Sequence, residues 1–202
     1  MTFTYLGSVV HNSGLSDQEL SRQIGLAAGV MNSLDKSFWR CRYLCRGTKL
    51  RVFRALIMPV LFYGSETWTL SSALESRLDA FCNRSLCRIM GYCWRDHVSN
   101  QRLHRETGTG PVTCTIRDRE LRLYGHLARF PQADPAHQVV SVRDNPGWRK
   151  PVGRPRRSWL GQIDQTCREE LEMGRAPAWR LAMRDHKRWK QKVDAAMCPR
   201  RR

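Results

Sequence analysis

A mainly α-helical fold, with a short β segment at the N terminus, is what this 202-residue sequence predicts. Three observations carry the expectation. Apolar residues recur at three- and four-residue steps over most of the length, β-branched and aromatic residues concentrate at the start, and Pro/Gly clusters punctuate the rest. With 41 % hydrophobic residues and seven tryptophans, the chain can bury a core.

The first element is a strand. Met1 to Val10 is rich in Thr, Val, Phe and Tyr and ends at the turn-like Asn12-Ser13-Gly14. No later segment supplies a second strong strand, so this one is expected as an orphan strand or a short hairpin. From Ser16 the pattern turns helical, with Leu20, Ile24, Ala27, Met31, Leu34 and Phe38 in register, Ser16 as N-cap and Glu19 as its capping-box partner. A second helix is expected over about Thr48–Phe62, with Leu50, Phe53, Ile57 and Leu61 inward and Arg46, Lys49, Arg51 and Arg54 near its start. A third, about Ser72–Met90, would bury Leu74, Leu78, Phe81, Leu86 and Ile89. Short links make these three an antiparallel bundle.

Beyond Gly91 the pattern loosens, and Gly108-Thr109-Gly110-Pro111 is a breaker. A shorter helix is expected from about Ile116 to Phe130, a linker from Pro131 to Pro151, and a helix from Ser158 to Met173 with Trp159, Ile163, Cys167 and Leu171 at four-residue steps. A last helix runs from Pro177 through Ala196. The resulting segments are 1–14 (strand), 15–92 (bundle), 93–147 (a connecting region with one short helix) and 148–202 (a looser basic helical C-terminal region).

Charge points to a polyanionic partner. Thirty-five Lys+Arg against eighteen Asp+Glu leave +17. Residues 148–202 hold 16 cations and 6 anions (+10), against 19 and 12 (+7) in residues 1–147. The densest stretch is Trp148 to Trp159, where Arg149, Lys150, Arg154, Arg156 and Arg157 are interleaved with Pro151, Gly153 and Pro155. Proline and glycine keep such a backbone extended, leaving the guanidinium groups available for phosphates or a groove. Gly153-Arg154-Pro155 has the core of an AT-hook, which slides into the narrow minor groove of A·T-rich DNA. Alternatively, Pro155 and Ser158 simply open the next helix with the arginines solvated, and both can hold together. Trp148 and Trp159 are candidates for stacking on unpaired bases, although Trp159 in register with Ile163 suits a core.

Several chemistries lack support. A two-metal polymerase or nuclease needs clustered carboxylates, and no Asp-Asp pair is present. Glu169-Glu170 point to different faces of one helix, and Asp96-His97 and Asp185-His186 read as surface dipeptides. Cys82, Cys87, Cys93 and His97 fall close together, yet Cys82 and Cys87 on a helix face apart by roughly 140°, so no metal site is expected. Cys41 and Cys45 lack a second pair. The eight cysteines are irregularly spaced and expected to be reduced thiols. Ala55 to Tyr63, the longest apolar run, is too short to span a membrane and contains Pro59. An intracellular location, nuclear or cytoplasmic, without membrane association is expected.

The order of motifs is specific where each motif alone is weak. Tyr5-Leu6-Gly7-Ser8, Arg54-Ala55 leading to Pro59 and Tyr63-Gly64-Ser65-Glu66-Thr67-Trp68, Arg88-Ile89-Met90-Gly91, Leu123-Tyr124-Gly125-His126-Leu127-Ala128-Arg129, and Gly153-Arg154-Pro155-Arg156-Arg157-Ser158-Trp159 follow one another. In that order they resemble the C-terminal part of LINE-type (non-LTR) retrotransposon reverse transcriptases, especially RTE-like ones, over nearly the whole chain. The resemblance implies that the Tyr5-Leu6-Gly7 strand is the primer-grip end of a palm, that Ser16 to Met90 is a thumb-like bundle presenting cations such as Arg22, Lys36, Lys49 and Arg51, and that the basic C-terminal segment is an accessory nucleic-acid-binding region. The fingers, most of the palm with its metal-binding aspartates, and the endonuclease are then expected upstream of Met1.

Function follows as binding without synthesis. The expected partners are DNA, RNA or RNA–DNA hybrid, contacted by Arg149, Lys150, Arg154, Arg156, Arg157, Tyr5, Gly7, Arg22, Lys49 and Arg51. No catalytic residue, metal site or cofactor is expected in this fragment; a divalent cation belongs to the absent palm. The alternative is a host-used nuclear interaction or chromatin-tethering protein, whose bundle would expose an apolar stripe instead of cations.

Overall fold

A computed structural model of the chain describes residues 2–5, 7–11, 16–141 and 157–197, and the fold is mainly α. It divides into two compact units, Met1–Ser65 with Leu70–Cys114, and Glu66–Thr69 with Thr115–Arg202.

The first unit begins with a hairpin. The run read as one strand is two, β1 (Thr2–Tyr5) and β2 (Ser8–His11), antiparallel with Tyr5 opposite Ser8 and Thr2 opposite His11. Gly7, at φ +80°, supplies the left-handed turn that a side chain would resist, so the strand finds its partner two residues on. A two-stranded ribbon is marginal alone, and β2 lies against the first helix, α1 (Asp17–Ser33). The Asn12-Ser13-Gly14 turn lies outside the described residues.

Helix α1 turns Leu20, Ala27 and Met31 inward, all under 3 % exposed, while Ile24 is only half-buried. Its expected capping box does not form. Ser16 has φ −95° and ψ 12°, not the extended backbone an N-cap side chain needs, and makes no side-chain cap bond. Glu19 is buried instead, its Oε1 accepting from Gln23 Nε2 at 2.6 Å.

Past Leu34 the chain winds wider. Trp39 N–H reaches back to the Leu34 carbonyl, a five-residue step, over Asp35–Trp39. The Trp39 indole is buried and donates to the Met31 carbonyl at 2.8 Å. Helix α2 (Arg46–Val52) passes through a second wide-wound stretch, Phe53–Ile57, into α3 (Met58–Leu61). Leu50, Phe53, Ile57 and Leu61 are all buried, as their spacing predicts.

Helix α4 (Ser72–Met90) starts on Ser71, whose side chain accepts from Leu74 N–H at 3.3 Å, and stops at Gly91. Leu74, Leu78, Phe81, Leu86 and Ile89 form its buried stripe, with Cys82, whose thiol burial pushes up to about 12. Helix α5 (Asn100–Thr107) is capped by Ser99. Arg54 then ties the chain after it, donating to the carbonyls of Thr107 and Gly108.

Helix α6 (Val112–Ala128) begins in the first unit, where Asp79 Oδ1 on α4 accepts from Val112 N–H at 3.0 Å, and passes into the second at Thr115. The second unit adds α7 (Pro135–Ser141), within the segment expected to be a linker, then α8 (Trp159–Leu171), α9 (Arg175–Arg184) and α10 (His186–Met197). The expected looseness of this end is not what is seen: Leu121, Tyr124, Ile163, Cys167, Leu171, Ala178, Ala182, Trp189 and Val193 make one buried core. The single last helix expected from Pro177 is two, broken at Asp185, whose backbone turns extended (φ −138°, ψ 92°) and whose Oδ1 accepts from Arg188 N–H at 2.9 Å. An aspartate that caps the following helix at once ends the preceding one.

Candidate nucleic-acid interface

Aromatic packing in the second unit decides which cations face outward. The Tyr124 ring lies 5.1 Å from Trp179, 6.3 Å from Trp189 and 6.4 Å from Trp159 between centroids. Its hydroxyl donates to the Arg175 carbonyl at 3.2 Å, and burial raises its pKa. Trp159 is half-buried against this core and donates Nε1–H to the Glu66 carbonyl at 2.9 Å, so its indole is committed to the fold. Ser158 caps α8, its hydroxyl accepting from Gly161 N–H.

On α10, Trp189 and Val193 turn inward at a four-residue step. Lys187, Arg188 and Lys190 therefore point outward and are exposed, as are Arg180 and Arg184 on α9. Other cations of this unit are committed. Arg117 pairs with Glu170 at 3.1 Å, Arg122 with Asp118 at 2.8 Å and Asp194 at 2.6 Å, and Arg168 with Asp164 at 3.0 Å. Lys192 Nζ donates to the Leu171 carbonyl at 2.9 Å, and Arg129 donates to that of Ala182 at 3.4 Å. Arg180, Arg184, Lys187, Arg188 and Lys190 pair with no carboxylate among the described residues. They form the uncompensated cationic surface of α9 and α10. An anionic ligand there displaces no internal ion pair, which is the condition for cheap phosphate binding.

The residues singled out in the sequence fare differently. Arg149, Lys150, Arg154 and Arg156 lie outside the described residues. Arg157 is exposed, directly ahead of the Ser158 cap. Tyr5 closes the hairpin opposite Ser8, and Gly7 is exposed at its turn, where an added Cβ would lie 3.8 Å from the Tyr63 ring. Arg51 is exposed and donates to Thr48 Oγ1 at 3.3 Å; Lys36 is exposed. One expectation is corrected, and a second cation is paired within the fold. Lys49 is 8 % exposed, its Nζ donating to the Trp39 carbonyl at 2.7 Å, so it fastens a bend and is not presented to a groove. Arg22 is half-buried and paired with the buried Glu19 at 3.3 Å.

The α9–α10 cations carry a fainter sequence signal than the Pro/Gly-interrupted stretch, because helical neighbours dilute them. Their signal was nevertheless present. Arg184, Lys187, Arg188, Lys190 and Lys192 fall within nine residues around Trp189, and an inward Trp189–Val193 pair fixes which of them face out. Among the described residues no group of three or more His, Cys, Asp or Glu could hold a metal ion, and no helix is long and apolar enough to cross a membrane. Cys82 is buried, Cys87 half-buried and Cys93 exposed.

Against known proteins, the chain is similar to an uncharacterised transposon-derived protein of Caenorhabditis elegans, 26 % identical over 200 residues, covering 93 % of this chain and 68 % of that one. No family model matches the chain, and no solved structure matches it. The likeness supports a transposable-element origin.

Proposed function

We propose that this chain is a nucleic-acid-binding part of a LINE-type retrotransposon reverse transcriptase, holding DNA, RNA or RNA–DNA hybrid for a catalytic centre contributed by other residues of the element. The observation that carries the reading is the exposed cationic surface of α9 and α10, where Arg180, Arg184, Lys187, Arg188 and Lys190 remain uncompensated while neighbouring cations are consumed by carboxylates and carbonyls. A transposable-element origin and the ordered motifs support it. Arg149, Lys150, Arg154, Arg156 and Arg157 extend the same electrostatic contact in the sequence just ahead of α8.

Affinity should be sequence-tolerant, because cations on a helical surface meet phosphates and do not read base edges. For five neutralised phosphates the logarithm of the duplex binding constant should fall with a slope of about −4.5 against the logarithm of salt concentration. Fluorescence anisotropy with a labelled DNA duplex and an RNA–DNA hybrid, titrated over a range of potassium chloride, tests this. Binding that is flat with salt, or confined to one duplex sequence, would sink the reading.

Among the described residues of the first unit, the exposed large hydrophobics are Leu26 on α1, Tyr43 ahead of α2, Leu56 in the wide-wound stretch before α3, Tyr63 after α3 and Trp94 after α4.

A further inference from the structure

In the first unit, the outer face of α4 and the loop after Gly91 enclose an open groove of about 580 Å³. Its volume is in the range of small-ligand sites. Asn83, Arg84 and Arg88 from α4, Tyr92 from the loop and Asn100 at the start of α5 line it, and no carboxylate does. Arg84 is exposed and gives only its Nε–H, to the Ala80 carbonyl at 3.2 Å. Arg88 reaches Asp35 at 2.6 Å. The amide of Asn83 carries a buried Oδ1 with no hydrogen-bond partner. Tyr92 is fixed in the wall, its hydroxyl donating to Glu106, which also accepts from Arg102 Nε at 2.7 Å.

Two residues beyond Tyr92, hence within about 7 Å of it along the chain, Trp94 is 78 % exposed. Its backbone belongs to a bonded turn. The turn Trp94–Asp96 is locked by Cys93 N–H donating to Asp96 Oδ2 at 2.6 Å, a bond that keeps the Asp96 carboxyl below its ordinary value. Arg95 places its guanidinium carbon 5.4 Å from the centre of the Trp94 ring. A large indole kept in water forgoes the hydrophobic gain it would have in a core. Arg95 covers one face of the indole, and with 78 % of the residue exposed the other is open to a planar ligand.

We propose that this groove and Trp94 bind single-stranded nucleic acid. An unpaired base stacks on Trp94, the adjoining phosphate meets Arg84 and Arg95, and the neighbouring base enters beside Tyr92 with its edge toward the Asn83 and Asn100 amides. Guanidinium groups, ring faces and amides together match the three parts of a nucleotide, whereas an acidic peptide would engage only the cations. A duplex does not compete for Trp94, because its base faces are already stacked. The inference rests on the nucleic-acid reading above, yet uses residues separate from α9 and α10.

The test is fluorescence anisotropy with labelled oligothymidylate of about 12 nucleotides, within the site sizes of single-strand-binding folds, beside a DNA duplex of equal length. Trp94→Ala should weaken oligothymidylate binding about tenfold, from the loss of one stacked base, and leave duplex binding and the thermal melt unchanged. Trp94→Phe should retain most of the affinity. The inference is overturned if Trp94→Ala binds oligothymidylate like the wild type, if it weakens both nucleic acids equally, or if polyglutamate competes as well as oligothymidylate. Wild-type binding of the duplex alone defeats this inference and spares the α9–α10 reading; binding of neither defeats both.

Discussion

Gly125 sits in the middle of α6, a position where glycine costs a helix about 1 kcal/mol relative to alanine. Propensity alone therefore predicts that Gly125→Ala stabilises the protein. The packing predicts the reverse. A Cβ built on Gly125 would lie 2.1 Å from Trp189 Nε1, 2.7 Å from its Cδ1 and 2.9 Å from its Cε2, where ordinary contact begins at 3.4 Å. The ring would have to retreat by 3.4 − 2.1 = 1.3 Å. It has nowhere to go, being 3 % exposed within the core that includes Tyr124, Cys167 and Val193. Overpacking a filled core costs about 1–3 kcal/mol; a 1.3 Å clash with a buried ring takes the upper end of that range, so after the gain in helix propensity Gly125→Ala should be destabilised by about 2 kcal/mol. For a chain of this length that is a fall in Tm of roughly 4–8 °C. Thermal denaturation followed by far-UV circular dichroism measures it, with near-UV dichroism reporting the disturbed indoles. Gly29→Ala on α1 is the control, since nothing lies within 4 Å of its added Cβ, and should gain up to about 1 kcal/mol. Combining Gly125→Ala with Trp189→Leu should recover part of the loss. If Gly125→Ala melts at or above the wild type, the close approach of α6 and α10 is wrong.

Two further substitutions separate structural from binding roles. Asp164 on α8 accepts from Arg175 N–H at 3.0 Å, capping α9 in place of the side chain that Gly174 lacks, and pairs with Arg168. Burial opposes its charge, but the Arg175 N–H and Arg168 outweigh this and hold the carboxyl below its ordinary 3.8. Because the folded value is the lower one, the stabilisation is complete above 3.8 and is lost as pH falls through the folded value. Urea melts of Asp164→Asn should accordingly show a deficit of about 1 kcal/mol at neutral pH that closes in strong acid; a deficit independent of pH would contradict the charge argument. Lys49→Ala should cost about 2 kcal/mol of stability, since it strands the buried Trp39 carbonyl, while duplex affinity per folded molecule stays the same. Lost affinity without lost stability would restore Lys49 as a contact.

The division between what was legible and what was not follows the range of the interactions. Leu50, Phe53, Ile57 and Leu61, or Ile163, Cys167 and Leu171, announce their buried stripe because helical periodicity is local, and Ser158 caps the helix it precedes. Nonlocal caps are invisible at this level: Asp79 closes the start of α6 from α4, and Asp164 that of α9 from α8. The same limit explains the misread cations. Lys49 looks like any basic residue on a helix until Trp39, ten positions earlier, turns out to occupy its ammonium. Ser16 and Glu19 have capping-box spacing, but spacing cannot reveal that burial of Glu19 assigns its carboxylate to Gln23. As for the proposed interface, net charge predicts a polyanionic ligand and puts the excess in the C-terminal quarter, residues 148–202. Which cations remain uncompensated depends on partners such as Glu170, Asp118 and Asp194, and these emerge only on folding.

The central claim is that uncompensated cations on α9 and α10 bind nucleic acid through its phosphates. Its most direct measurement is the salt slope of duplex binding for the triple variant Lys187→Ala/Arg188→Ala/Lys190→Ala, compared with the wild type and with Arg154→Ala/Arg156→Ala/Arg157→Ala. Lys187, Arg188 and Lys190 are exposed and outside the buried core, so the α10 variant should melt with the wild type. The account predicts that the α10 variant binds more weakly across unrelated sequences and that its slope is shallower by about 2.7, for three lost phosphate contacts. An α10 variant with wild-type affinity and slope would contradict it, and a loss confined to the Arg154 variant would move the contact to the segment ahead of α8.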